Sequence, residues 1–513
     1  MQGTNRRITV FEPSSVDSRA PSLAEIISAL SFALDLTEGA VPGHALRCCL
    51  LGMRLGSELG FSDLELADLY HALLLKDVGC SSNAARMCQI IGGGDDRLVK
   101  SVVKLEDWTR PHQPSLSAVR LLWNSVLPNH GPISKIGRMV KIALTQHANN
   151  REMIELRCDR GASIVRKIGL SEQAALAVRG LDEHWDGSGY PDRSIGTAIP
   201  PLARVMAVAQ HLDVFALERS PATAMQVLRE RAGRWFDPEV VKAAESLHRK
   251  GALWMDCLPT SDHSPIQSQR LARSAVLDLA PPQIAGTSPS HIDSICEAFA
   301  EVVDAKSHYT FSHSMGVTSV ASAIGGVMGL NHERQQLLHR AALLHDLGKL
   351  RVPNSILDKP GKLDADEWSV MREHPALTAS ILRRVKQFHE LATIAGAHHE
   401  KLDGSGYPNQ LRADDLPLEA RILTVADMYG ALIEDRPYRA GFSHEQAVEI
   451  MMRDGAGKLD ADCFAALPKA AEVLSLKASA AVPAKPILVP PTLKHSSGRT
   501  APANSGPSAS IVR

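Results

Sequence analysis

Residues 317–328, VTSVASAIGGVM, carry the pattern that sets the fold class. Their apolar side chains recur at i, i+3, i+4, i+7 and i+11, which places them on one face of an α-helix; they are Val317, Val320, Ala321, Ile324 and Met328. Residues 340–349, 366–386 and 418–433 are also rich in helix-forming residues with helical spacing. Because convincing runs of alternating apolar and polar residues are lacking, the sequence predicts an all-α protein.

Three pairs of sequence blocks show that the chain contains an internal repeat. In chain order they are LLKDVGC (74–80) with LLHDLGK (343–349), DGSGYP (186–191) with DGSGYP (403–408), and ARVMAVAQ (203–210) with ARILTVAD (420–427). The last two pairs are separated by 217 residues and the first by 269, so the first copy carries about 52 extra residues, roughly 81–156. Matching blocks in matching order indicate a tandem duplication.

Composition shifts divide the chain into five predicted parts. These are a flexible N-terminus (1–20), the first copy (21–255), a linker rich in Pro and Ser (256–290), the second copy (291–473) and a disordered tail (474–513). The tail is dominated by Ala, Pro, Ser and Lys and has no acidic residue after Glu472. Such a composition favours a solvated, unfolded segment.

The overall composition excludes several function classes. Among 513 residues, 56 Lys and Arg balance 57 Asp and Glu, which argues against a generally basic nucleic-acid binder or a polybasic membrane-surface protein. No apolar run approaches the roughly 18 residues that cross a bilayer, and Met1–Pro13 lacks the apolar stretch of a secretory signal. The eight cysteines form no C-x-x-C pair and are typical of reduced thiols. We therefore expect a cytoplasmic protein without nucleic-acid partners or membrane insertion.

The second copy concentrates imidazole and carboxylate side chains. They are His313, His345, Asp346, His374, His398, His399 and Asp427. Each residue alone has an ordinary structural explanation: His313 could be a satisfied core histidine, and Asp427 could pair with an arginine. Together they are the ligand types that suit Fe, Mn, Zn or Ni. Because adjacent helical residues point about 100° apart, a His-Asp or His-His pair can address two metals, or one metal from two sides.

The blocks around these residues resemble those of the HD-GYP family, a branch of the HD phosphohydrolases. The matching blocks are HDLGK (345–349), VPNSILDKPGKL (352–363), His374-Pro375, HHEKLDGSGYP (398–408), PLEARILTVAD (417–427) and DRPYR (435–439). The resemblance covers roughly residues 291–470. It implies two tandem HD-type helical bundles joined by the linker, a metal centre that is often iron or manganese, and hydrolysis of cyclic di-GMP to pGpG, GMP or both.

The resemblance also implies a role for each matching residue. Asp346 would bridge two metals, with His313, His345 and Asp427 completing one site and His374, His398 and His399 the other. Lys349 would contact a substrate phosphate, assisted by Tyr407, Arg436 and Arg439. Trinuclear members carry a Glu where this chain has Tyr309, so we expect two divalent ions, iron or manganese. A hydroxide between them would attack phosphorus while the metals and Lys349 hold the phosphate oxygens.

The first copy has lost most of this set. Opposite His345, Lys349, His374, His398, His399 and Asp427 stand Lys76, Cys80, Arg157, Leu181, Asp182 and Gln210, and only His44 and Asp77 are retained. Two ligands cannot hold a binuclear centre, so this copy is expected to be non-catalytic. It would serve either as a folded partner domain that stabilises or dimerises, or as a regulatory pocket in which Lys76 and Arg157 bind an anion such as a nucleotide phosphate.

Two rival functions stay open at this point. One is hydrolysis of another nucleotide, since the ligands define phosphodiester chemistry better than they define the base. The other is a non-catalytic signalling or interaction scaffold built from duplicated folds. The substrate is expected to be a cyclic dinucleotide, and the family pattern allows a signalling-protein partner at the GYP loops and a homodimer.

Overall fold

The computed structural model describes residues 20–103, 105, 107, 116–128, 130–258, 264–282, 287–307, 313–435 and 439–480. Within these ranges the chain forms helices and turns, with three isolated β-bridges and no strand. The predicted all-α fold class is confirmed. No helix in the described ranges is both long enough and apolar enough to cross a membrane.

The first half comprises eleven helices within the described residues. They are α1 (Leu23–Glu38), α2 (His44–Glu58), α3 (Asp63–Leu75), α4 (Ala84–Ile91), α5 (Asp96–Val103), α6 (Leu116–Ser125), α7 (Pro132–Lys167), α8 (Glu172–Arg179), α9 (Pro201–Glu218), α10 (Pro221–Arg231) and α11 (Pro238–Arg249). A 3₁₀ helix lies at Gly196–Ala198. Helices α4 to α6 and the first part of α7 form the extra segment of this copy.

The rest of the described chain also contains eleven helices. They are α12 (Pro265–Asp278), α13 (Pro289–Asp304), α14 (His313–Val327), α15 (His332–Leu344), α16 (Asn354–Leu357), α17 (Ala365–Arg372), α18 (His374–Leu382), α19 (His389–Gly396), α20 (Leu418–Ile433), α21 (His444–Asp454) and α22 (Ala461–Ala480). Three 3₁₀ helices lie at Leu347–Arg351, Lys386–Phe388 and Ala413–Asp415. Leu347–Arg351 is called the 347–351 segment below.

Three predicted segments differ from the structure. The helix expected over 366–386 is two helices, because Pro375 occupies the first turn of α18, where a missing N–H costs nothing. The predicted linker 256–290 contains α12, whose Ala272 and Val276 are buried. The predicted tail is helical up to Ala480, since residues 474–480 are mainly strong helix formers such as Leu, Ala and Lys. Residues 481–513 and 1–19 lie outside the described residues.

The two halves pack in the same way internally and also against each other. Helix α2 lies on α9 as α14 lies on α20, which reflects the repeat. Helix α1 packs on α2 and α3 of its own half and on α18 and the 347–351 segment of the second half. The buried apolar side chains of both halves accordingly form one continuous core.

A glycine in each copy permits the same close backbone contact. A Cβ atom on Gly79 would lie 2.0 Å from the carbonyl oxygen of Arg157, and one on Gly348 would lie 2.1 Å from that of His374. Contacts this short exclude any side chain at these positions. The turn after α3 and the turn after α15 are therefore pinned in the same way against α7 and α18.

Replacing Gly79 with Ala tests this contact. Because the added methyl group would overlap backbone rather than a movable side chain, we expect Gly79→Ala to destabilise the protein by about 1–3 kcal/mol. The control is Gly137→Ala in the exposed part of α7, where a Cβ meets nothing within 4 Å; a helical glycine there costs stability, so a gain of up to about 1 kcal/mol is expected. Chemical denaturation measures the free energy of unfolding of both variants. Equal changes in the two variants would contradict the role of Gly79.

Candidate metal centre

The seven predicted metal ligands of the second half lie together, and six of them lie at or just beyond a helix end. His313 begins α14, His345 and Asp346 follow α15, His374 begins α18, His398 and His399 follow α19, and Asp427 lies in α20. All are buried except His399, which is partly exposed. Five elements that are far apart in the sequence thus deliver imidazoles and carboxylates to one point.

Asp346 lies at the centre of the group. Its Oδ2 is 3.7 Å from His313 Nε2 and 3.3 Å from His345 Nε2. Its Oδ1 is 3.3 Å from His374 Nε2 and 3.8 Å from His398 Nε2. Each carboxylate oxygen therefore faces a different pair of imidazoles, as a bridging ligand does.

Asp427 lies across from Asp346 and makes a similar set of contacts. Its Oδ1 is 3.3 Å from His313 Nε2 and 3.7 Å from His345 Nε2, and its Oδ2 is 3.7 Å from His399 Nδ1. Donor atoms within 4.8 Å of one another form the groups His313–His345–Asp427 and His374–His398–His399. These two groups coincide with the two predicted ligand sets; the role of each residue stays a prediction.

Backbone carbonyls orient three of the imidazoles. Nδ1 of His345 lies 2.7 Å from the carbonyl oxygen of Ala342, and Nδ1 of His374 lies 2.7 Å from that of Met371. His398 Nδ1 approaches the carbonyl oxygen of Ala395 at 2.6 Å. A carbonyl only accepts, so Nδ1 carries the proton in each ring and Nε2 presents its lone pair to the centre.

Two supporting residues escaped the sequence reasoning. The Glu434 carboxylate accepts from His313 Nδ1 at 2.8 Å and turns Nε2 of that ring inward. Thr378 Oγ1 donates to the carbonyl of His345 at 2.9 Å and accepts from the N–H of Gly348 at 2.8 Å. The available signals were weak: Glu434 directly precedes DRPYR, and Thr378 lies one helical turn after His374.

Burial and charge act in opposite directions on the two carboxylates. Burial by itself raises the pKa of Asp346, but the neighbouring charges of His345 and Lys349 outweigh it and hold the pKa well below its ordinary value. Burial likewise raises the pKa of Asp427, and the hydrogen bond from His313 helps to hold it well below the ordinary value. Both groups are therefore carboxylates at neutral pH.

The imidazoles divide into two kinds. Burial lowers the pKa of His374 to about 4 and that of His398 to about 3, and it brings the pKa of His399 well below the ordinary value. Burial also disfavours the charged form of His313, but hydrogen bonds to two carboxylates raise its pKa to about 9. Neutral imidazoles thus face one side of Asp346, and a divalent cation on the other side would replace the His313 proton.

Two buried atoms test whether a metal fits this centre. His345 Nε2 and Asp346 Oδ1 form no hydrogen bond within the described part of the chain. Buried polar atoms without partners are costly, and imidazole nitrogen and carboxylate oxygen are both ligands of divalent transition metals. The donor set therefore fits metal ions.

The predicted substrate contacts fall in different places. Lys349 Nζ is 2.5 Å from Asp346 Oδ2 with 18% of its side chain exposed, and the Tyr407 ring lies 4.8 Å from that of His399. The Arg439 guanidinium donates to the carbonyls of Ala431 at 2.7 Å and Leu432 at 3.0 Å, and its predicted substrate contact stays a prediction. Because those carbonyls end α20, we assign Arg439 to helix capping. Arg436 and Tyr309 lie outside the described residues.

In the first half, the ammonium group of a lysine lies where the second half has the donor set for a metal ion. Lys76 is buried, contacts the carboxylate of Asp77 and donates to Gln210 Oε1 at 3.1 Å. His44 is used elsewhere, with Nδ1 2.6 Å from Asp213 Oδ2. Two groups of metal-type donors do occur here, His44–Cys48–Asp213 and Glu38–Asp77–Cys80. In each group, one carboxylate already forms an ion pair with a basic side chain: Asp213 pairs with Arg47, and Asp77 pairs with Lys76.

A cavity of about 140 Å³ lies in the first half beside Gln210, the partner of Lys76. Arg157, one of its lining residues, contacts the carboxylate of Asp182. Lys76 and Arg157 are thus both neutralised by carboxylates of the same half. This pairing disfavours the regulatory anion site that the sequence suggested and leaves the interpretation as a folded partner domain.

Comparison with known proteins identifies the family. The model of the HD domain matches residues 126–240 and 295–463, which is more than half of the chain and includes parts of both halves. The chain belongs to the HD domain family. Its relatives are HD-GYP phosphodiesterases, as the sequence blocks predicted, and phosphohydrolases of this superfamily are metal-dependent.

Three of these HD domain relatives show the range of similarity. A 3′3′-cGAMP-specific phosphodiesterase of Vibrio cholerae is 40% identical over 465 residues, covering 90% of this chain and 97% of the relative. The crystal structure of a cyclic GMP-AMP-specific phosphodiesterase from Vibrio cholerae matches with a TM-score of 0.59 and 36% identity, covering 88% of this chain and 98% of that one. The cyclic di-GMP phosphodiesterase response regulator RpfG of Xanthomonas campestris is 39% identical over 153 residues, covering 29% of this chain and 40% of the relative.

Removing Glu434 tests how the His313 ring is held. Because a carboxylate that accepts from the outer nitrogen of a ligating histidine orients the ring and raises its basicity, we expect Glu434→Ala to weaken metal binding about 10–100-fold. The matched control is Asp435→Ala, since Asp435 accepts from the N–H of Gly441. Metal titration of both purified variants measures the difference. Equal metal affinity in the two variants would show that Glu434 does not support metal binding.

Proposed function

We propose that this protein is a metal-dependent phosphodiesterase that hydrolyses a cyclic dinucleotide in its second half, with 3′3′-cGAMP as the preferred substrate. The observation that carries the proposal is the arrangement of two ligand groups around the buried carboxylate of Asp346. Two divalent ions, iron or manganese, would occupy these groups. The product would be a linear dinucleotide, its mononucleotides or both.

The substrate preference rests on which relatives share the whole chain. The 3′3′-cGAMP-specific relative matches over nearly its full length, including the first half. The cyclic di-GMP phosphodiesterase response regulator matches over only 29% of this chain. Cyclic di-GMP, which the sequence blocks alone favoured, is the second candidate. Both substrates require the same phosphodiester chemistry, so the choice between them depends on contacts to the bases.

The residues of the centre suit in-line attack on a phosphodiester. When bound, the metal ions would acidify a water molecule and neutralise charge on the phosphate. Asp346 would serve as a ligand to both ions, because its two oxygens face different imidazole pairs. Since the Nδ1 protons of His345, His374 and His398 are donated to carbonyls, their Nε2 lone pairs stay directed at the centre.

Lys349 and Tyr407 would bind the rest of the substrate. The Lys349 ammonium lies beside Asp346 and is partly exposed, so it can hold a non-bridging phosphate oxygen next to the centre. Tyr407 presents a half-buried ring beside His399, with the guanidinium of Arg372 5.5 Å from its centroid. An aromatic ring flanked by a cation suits stacking against a base.

The first half would take no part in catalysis. Lys76 occupies the position of an imidazole ligand and provides a fixed positive charge beside Asp77. A metal ion at that point would meet like charge at close range, which is unfavourable. The DGSGYP loop of that half, which repeats the one in the second half, would then serve folding alone.

Matched substitutions in the two halves test the proposal. We expect Asp346→Asn to lower turnover of the cyclic dinucleotide at least about 100-fold, because the amide cannot bridge two cations. Asp77→Asn, the equivalent change in the first half, should leave turnover within about twofold. Anaerobically purified protein with Mn(II) or Fe(II) is the sample, and product formation is followed by chromatography.

Thermal unfolding of both variants establishes that they are folded at the assay temperature. Loss of turnover in both variants, with both folded, would contradict the assignment of chemistry to the second half. Metal-loaded wild type without turnover of any cyclic dinucleotide would indicate another nucleotide substrate. Wild type that binds no metal would indicate a scaffold.

Substrate preference is tested separately. We expect kcat/KM for 3′3′-cGAMP to exceed that for cyclic di-GMP by at least about tenfold, which is within the range that a few base contacts provide. Competition between the two substrates in one reaction measures the ratio directly. A ratio in favour of cyclic di-GMP would reverse the proposed preference without changing the mechanism.

A further inference from the structure

The segment that follows the central Asp346 is held partly by the first half. In the 347–351 segment, the carbonyl of Arg351 accepts a hydrogen bond from Nη1 of Arg97 at 2.5 Å, and the carbonyl of Leu350 accepts one from Nζ of Lys306 at 3.0 Å. Arg97 belongs to α5, in the extra segment that only the first half contains. A side chain 254 residues away in the sequence thus fixes the end of this segment.

A second contact from α5 fixes the next helix. Asp96 is fully buried, and its Oδ1 accepts from the backbone N–H of Asn354 at 3.2 Å. Asn354 begins α16, which is separated from the 347–351 segment by two residues. Two successive residues of α5 therefore contact backbone groups of the second half that are three residues apart.

Arg97 itself is held rigidly. Its Nη2 is 2.7 Å from Asp95 Oδ2 and its Nε is 3.0 Å from Asp95 Oδ1, which forms a bidentate pair. Lys306 is fully buried; burial lowers its pKa to about 8, while the Asp96 carboxylate acts in the opposite direction. Helix α1 packs against the same segment and against α18, which carries His374.

These contacts lie close to the catalytic groups. The 347–351 segment contains Lys349, and its first residue follows Asp346 directly. Lys349 Nζ reaches Asp346 Oδ2 at 2.5 Å, so a shift of the segment moves both groups. A displacement of about 1 Å at a reacting centre can lower the rate about 100-fold.

We propose that Asp96 and Arg97 are positioning residues for the reaction: the first half holds the 347–351 segment so that Asp346 and Lys349 keep their places at the metal centre. The proposal rests on the proposed function of that centre. It gives the non-catalytic copy a direct part in turnover, which goes beyond general stabilisation. It also assigns a purpose to α5, for which the second half has no counterpart.

The test compares Arg97→Ala with a matched control at the same contact between the halves. Lys167 in α7 pairs with Glu301 at 2.6 Å and Glu297 at 3.3 Å, both of which belong to α13 and not to the 347–351 segment. We expect Arg97→Ala to lower kcat about 10-fold or more with KM changed less than about twofold. Lys167→Ala should leave both constants within about twofold. Full-length, metal-loaded protein is assayed, and thermal unfolding verifies that each variant is folded.

A conservative variant separates positioning from bulk structure. Asp96→Asn keeps an oxygen that can accept from the N–H of Asn354, whereas Asp96→Ala removes it. We expect kcat to fall in Asp96→Ala and to recover to within about threefold of wild type in Asp96→Asn. Equal losses of kcat in Arg97→Ala and Lys167→Ala, or an unchanged kcat in Arg97→Ala, would overturn the proposal.

A generic substrate separates failure of this inference from failure of the proposed function. Each variant is also assayed with bis(p-nitrophenyl) phosphate, whose hydrolysis requires the metal centre but no base recognition. If the wild type cleaves this diester but no cyclic dinucleotide, the proposed substrate is wrong. The ratio of kcat for the diester in Arg97→Ala to that in wild type then still tests the positioning role. If the wild type binds no metal and cleaves neither substrate, both proposals are overturned together.

Discussion

Burial of the Asp346 carboxylate is the constraint on which the second half depends. Moving a carboxylate out of water costs several kcal/mol unless positive charge and hydrogen-bond donors surround it. Here four imidazoles and the Lys349 ammonium provide them, each from a different element of the chain. The helix ends at α14, α15, α18 and α19 must therefore meet at one point, and the core packs around that requirement.

The first half satisfies the same constraint in another way. Asp77 takes the place of Asp346, and the ammonium of Lys76 supplies the charge that a metal would supply. A covalently attached cation needs no metal supply, so this half can fold without an ion. The cost is chemical, because an ammonium cannot acidify a water molecule. The two halves thus balance a buried carboxylate in different ways, and only the second keeps the donor set of a metal centre.

Local pattern in the sequence was enough for the fold class, the repeat and the seven residues of the centre. It was not enough for three other features. Arg439 matched a substrate-binding motif, yet its guanidinium caps α20. Pro375 divides a stretch with continuous helical spacing. The hydrogen bond of Asp96 to Asn354 joins residues 258 positions apart, and no local periodicity reports such a contact.

Loss of the ligands and retention of the packing involve different residues of the first half. Lys76, Arg157 and Gln210 face its own interior, where they replace metal ligands. Helices α1 and α5 face the second half, and their contacts with the 347–351 segment do not pass through those residues. Since the core is continuous across both halves, separating them would expose apolar surface on α1 as well as release the segment beside Asp346. The proposed chemistry and the proposed support of the centre would thus lie in different halves of one packed unit.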